Sequence, residues 1–127
     1  MMSFETWTSG ELAALVRALH EARFALEPSD PLVWQSPVVI DMHVAAMEEA
    51  DRRRSERGRP RSSAQADAWL LWRNRPERET VLRNLKRDDS LRQRCLGEGA
   101  PFLRALLRPF VLDDADVEML MREIVSP

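Results

Sequence analysis

The stretch SPVVIDMHVAAMEEADRRRSERG, residues 36–58, decides the fold. Its first half reads two ways. Val38, Val39 and Ile40 are β-branched, and Ile40, Met42 and Val44 alternate as a strand does. Against this, Ser36-Pro37 has the form of an N-cap followed by proline at the first helical position. Residues 45–50 continue without a turn signal, and Gly58 supplies a C-terminal stop. Glu48 with Arg52 and Glu49 with Arg53 are spaced as favourable helical pairs, and Arg52, Arg53, Arg54 and Arg57 stand where the helix dipole favours cations. The spacing therefore predicts a helix over 37–57. On that helix Asp41 and His43, two positions apart, diverge; on a strand they would share a face and pair as acid and base.

Outward from this segment the punctuation is also helical. Thr8 and Glu11 form a capping-box pattern, with Trp7 and Leu12 at the positions of a hydrophobic staple. Leu12, Leu15, Val16, Leu19, Ala22 and Leu26 then recur at helical spacing until Glu27-Pro28, which leaves His20 and Phe24 on the outer face. Asp30-Pro31 opens a short turn through Trp34. Gly58 to Ser63 is a loop, and residues 64–74 read as a helix that is apolar nearly all round, hence central in the fold or shared with another chain. Pro76 to Arg87, Asp88 or Asp89 to Leu96, and Pro101 to Arg108 each carry an apolar stripe. Asp113 caps a last helix, with Leu112 and Val117 as a second staple and Val117, Leu120, Met121, Ile124 and Val125 inward. The expectation is a single all-α domain, 1–127, of five to seven helices in an irregular helical bundle.

Composition narrows the function classes. The chain has 127 residues, and its longest apolar runs are five residues, far short of the ~20 that span a bilayer. No membrane segment and no secretory leader is expected, and the lone Cys95 fits a reducing compartment, so the protein is placed in the cytoplasm. Eighteen of the nineteen basic residues are Arg, a bias that fits a GC-rich bacterial genome as much as guanidinium chemistry. Charge is sorted by position: formally −6 over residues 1–50, +8 over 51–108 and −4 over 109–127. A concentrated basic middle either attracts phosphate or carboxylate partners or is neutralised by its acidic flanks.

Groups able to do chemistry are sparse. His20 and His43 have no ligand-spaced partner, so no metal and no cofactor is expected. Asp113, Asp114, Asp116 and Glu118 lack the glycine of a calcium loop and read as capping residues. Cys95 lies between Leu91 and Leu96 on a helix face, a structural thiol despite Arg92 and Arg94. Gly10, Gly58, Gly97 and Gly99 form no phosphate loop. The chain reads as a non-enzyme.

Two binding readings remain. For nucleic acid, residues 52–61 hold six Arg against one Glu, and Asn74-Arg75-Pro76 could imitate the turn of a helix-turn-helix. Glu77 and Glu79 stand where that second helix would meet phosphates, and the pI near 5.7 is not basic. For protein binding, Trp and Arg are the residues that most often dominate interfaces. The reading adopted is an interaction module that binds and regulates or neutralises another protein through Arg52, Arg53, Arg57, Arg59 and Arg61, with Trp34 as an apolar anchor. Nucleic-acid binding through the basic middle is the alternative, and homodimerisation through 64–74 is an added expectation.

Overall fold

The computed structural model describes residues 3–58 and 70–126. Among them the protein is all-α, with seven α-helices and no strand. In chain order these are α1 (Ser9–Phe24), α2 (Pro31–Trp34), α3 (Pro37–Glu56), α4 (Arg78–Arg87), α5 (Asp89–Glu98), α6 (Ala100–Leu106) and α7 (Asp114–Val125). A single 3-10 turn, Trp72–Asn74, precedes α4.

Local chemistry starts most of these helices where the sequence places them. The Thr8 hydroxyl accepts from the Glu11 amide at 3.0 Å while the Glu11 carboxylate accepts from the Thr8 amide at 2.8 Å, a complete capping box. Asp30, Ser36 and Asp88 accept from the first-turn amides of α2, α3 and α5. Asp113 and Asp116 make a second reciprocal box at α7. Segment 37–56 is helical throughout, so Asp41 faces solvent and His43 faces the core.

The core gathers side chains from every helix. Phe24, Trp34, Ile40, Trp72, Val81, Leu85, Leu91, Cys95, Leu103, Phe110 and Ile124 all belong to one buried cluster. Phe4, Leu12 and Ala46 form a smaller one where the N-terminal segment crosses α1 and α3.

Several expectations are corrected. Phe24 and His20 point inward, because α1 buries two faces: one against α3, the other against Phe110. Leu26 is exposed because α1 ends at Phe24. Trp7 is also exposed, and Phe4 rather than Trp7 shares the cluster with Leu12. Val125 faces outward at the end of α7.

The predicted helix over 64–74 does not run through its last residues. Leu71 is extended, with φ −65° and ψ 124°, and forms an isolated parallel bridge with Val111. The Val111 amide donates to the Leu70 carbonyl at 2.8 Å and the Trp72 amide to the Val111 carbonyl at 3.0 Å. Backbone groups that a helix would use internally are thus spent on a distant segment. Residues 64–69, and the loop from 59 onward, lie outside the described residues. The next helix begins at Arg78, since Pro76 and Glu77 form a turn.

Candidate functional site

Of the predicted arginine patch the structure describes Arg52, Arg53 and Arg57, and each of these is engaged within the fold. Arg52, Arg53 and Arg54 are successive helical positions and fan around α3. Arg52 is half-exposed and bound to Glu49 and Glu56. Arg53 is mostly buried and donates to the carbonyls of Trp7 and Phe4, each at 2.8 Å, so it anchors the N-terminal segment. Arg54 pairs with Asp51 at 2.7 Å on another side. Arg57 is exposed and donates to the Arg53 carbonyl. Arg59 and Arg61 lie outside the described residues. Trp34 is 1% exposed and packs in the core, so it offers no anchor to a partner in this fold.

The rest of the basic middle is largely spent in the same way. Arg83 pairs with Glu27, Arg92 with Asp89, Arg94 with Glu98, Arg104 with Asp114, Arg108 with Asp41, and Arg73 with Asp113. The turn at Asn74-Arg75-Pro76 is preceded by an extended residue and one 3-10 turn, not by the helix a helix-turn-helix requires. Asp113 and Asp116 are used in capping and Asp114 in an ion pair, and no cluster of three metal-ligating side chains occurs among the described residues. Burial pushes the Cys95 thiol up to about 11 against the opposing effect of Arg94, which leaves it protonated at neutral pH.

A different constellation joins the two halves of the chain. Arg23 of α1 is fully buried, and its Nη1 donates to His43 Nδ1 of α3 at 2.7 Å. Its Nη2 donates to the Leu106 carbonyl at the end of α6, at 2.8 Å. No carboxylate pairs with Arg23 among the described residues; its guanidinium lies 4.4 Å over the Phe24 ring. Burial, with Arg108 adding repulsion, lowers its pKa to about 10, so it remains charged at neutral pH. His43 is also fully buried. Burial, then the charge of Arg23, then His20 push it down to about 3, so it is neutral. Its Nδ1 accepts from Arg23, and Nε2 therefore carries the proton. That Nε2, Arg23 Nε and Trp34 Nε1 are buried without a hydrogen-bond partner.

His20 stands beside this pair, its ring 5.8 Å from that of His43 and 5.8 Å from Phe110. Its Nε2 meets Glu77 Oε1 at 3.0 Å. Burial raises the pKa of Glu77, but hydrogen bonds from Arg75 and His20 outweigh it and hold the carboxyl at about 2. Glu77 is therefore ionised and His20 Nε2 donates to it.

His20 also lines a groove of about 390 Å³ between α1 and α3. Ala13, Val16, Met47 and Ala50 give it an apolar lining, and Arg17, Glu21, Arg54 and Arg75 give it a charged one. Among the described residues, Arg17 and Arg54 are held by exposed acids of their own helices, Glu21 and Asp51. Such exposed pairs are worth at most about 1 kcal/mol each.

Reading the sequence misses Arg23 because a charged residue is assigned to the surface. The signal is positional: Leu12, Val16, Leu19 and Arg23 follow four-three-four spacing and share one face. Comparison of the chain with protein-family models, with curated proteins and with solved structures found no match.

Proposed function

We propose that the protein is a non-enzymatic interaction module that binds, and regulates or neutralises, another protein. The observation that carries this reading is the α1–α3 groove, whose apolar lining and bordering guanidiniums suit an amphipathic helix of a partner with carboxylates for Arg17 and Arg54. Exchanging a weak local pair for a partner carboxylate costs little, while burying Val16 and Met47 gains about 25 cal/mol per Å² of apolar surface removed from water. Because most described arginines are committed within the fold, this reading is favoured over nucleic acid. No described helix is long and apolar enough to cross a membrane. The unpaired Cys95 fits the cytoplasm as the place of action.

The reading is tested with Ala13→Glu, which places a charge in the groove at an exposed position of α1. Ala18→Glu, at an exposed position of the same helix outside the groove lining, is the control. Both variants should keep the far-ultraviolet circular dichroism of the parent. Affinity capture from native lysate with nuclease present is expected to retain a protein partner for the parent and Ala18→Glu, and to lose it for Ala13→Glu. Capture that survives Ala13→Glu removes the groove as the binding surface, and retention of salt-labile nucleic acid alone removes the protein-binding reading.

A further inference from the structure

We infer that the buried Arg23–His43 contact is an acid-sensitive latch between α1 and α3. The geometry leaves His43 one place to take a second proton. Nε2 already carries hydrogen, so the proton must go to Nδ1, the atom that accepts from Arg23 Nη1 at 2.7 Å. A protonated Nδ1 cannot accept, and two cations would face each other in a buried site. The latch therefore opens when His43 is protonated.

The charges around His43 reinforce this outcome. From α1 it faces Arg23 and His20; beyond the end of α6 lies Arg108, which also repels Arg23. From the turn before α4 comes Glu77, a carboxylate engaged by both His20 and Arg75. On α3 itself Asp41 is exposed and paired with Arg108. Among the described residues, no acid is therefore placed to compensate a charged His43. His20, in contrast, meets ionised Glu77 and ties α1 to the turn before α4.

The direction with pH follows from linkage. His43 has a native value of about 3 against an ordinary 6.5, so the closed state binds fewer protons than the open one. Closure is fully favoured above pH 6.5 and is lost as pH falls toward 3. Because α1 and α3 also enclose Leu12, Ala46 and Phe4, opening exposes apolar surface while the helices persist.

The test is an acid titration from pH 8 to 3 of the intact chain, followed by near-ultraviolet circular dichroism, binding of an apolar dye and far-ultraviolet helicity. The parent should lose its near-ultraviolet signal and bind dye at a midpoint between pH 6 and 3, with helicity retained. His43→Asn keeps an acceptor for Arg23 but cannot titrate, and its midpoint should fall by at least one pH unit. His20→Asn should not lower it. An unchanged midpoint in His43→Asn overturns the latch. If that variant does not fold, proton NMR of the parent decides, with His20→Asn assigning the two histidines. His43 should show the neutral Nε2–H form until the transition, and titration near pH 6.5 within an otherwise intact fold overturns the proposal.

Discussion

Replacing Phe24 with alanine is expected to destabilise the protein by about 3–5 kcal/mol, read as a lower urea midpoint with an unchanged slope. The side chain is fully buried and central. Its ring lies 4.7 Å from Phe110 and 5.4 Å from His20, and the Arg23 guanidinium stacks over it. Truncation removes the transfer free energy of the ring and leaves a void that α1, held by α3 on its other face, is poorly placed to fill. Leu26, two positions further along, is the internal comparison: it is half-exposed, and Leu26→Ala should stay within about 0.5 kcal/mol of the parent. If the two substitutions cost the same, Phe24 is not in the core.

The second large effect is expected at Arg23. Arg23→Ala should cost about 3–5 kcal/mol, because it strands His43 Nδ1 and the Leu106 carbonyl in the interior and empties the space of the stem. Arg23→Met fills much of that space and removes the cost of burying a cation, so a smaller loss of about 1–3 kcal/mol is expected. Adding His43→Leu to Arg23→Met should recover part of it, since the stranded imidazole acceptor is then gone. Urea titrations of the three variants give this comparison directly. A loss below about 1 kcal/mol for Arg23→Ala would mean that the guanidinium is hydrated in solution rather than enclosed.

What could be read from the sequence is what depends on neighbours in the chain. Thr8 with Glu11, Ser36 before Pro37, and Asp113 before α7 announce helix starts because the capping oxygen and the amide it accepts from lie within three residues. The helix over 37–56 was legible for the same reason, despite its β-branched opening. Leu71 was not, because Val111, which takes its backbone out of a helix, stands far along the chain. His20 and Phe24 lie off the one apolar stripe that spacing reveals, and the second covered side of α1, against Phe110, is set by a segment distant in the chain. Trp34 looked available because it follows two prolines in a short turn, yet the turn folds its indole inward. Arg52 and Arg53 are adjacent in sequence, but adjacency on a helix spreads side chains by about 100° a step, so Arg53 reaches the N-terminal segment while Arg52 pairs with Glu49 and Glu56.

The reach of Arg23 also bears on the order in which the molecule is built. Its bond to the Leu106 carbonyl spans 83 positions of the chain. Closing a loop of that length carries an entropy cost of about 4 kcal/mol before its constant part. The α1–α3 and α4–α5 pairings close much shorter loops and are available to an early folding nucleus. The bond from Arg23 to the Leu106 carbonyl, unlike its contact with His43 inside the α1–α3 pair, therefore forms after the helices that carry it have met. An interaction made that late adds little to the speed of folding and mainly prolongs the lifetime of the native state, because it must be broken before the molecule reaches the barrier to unfolding.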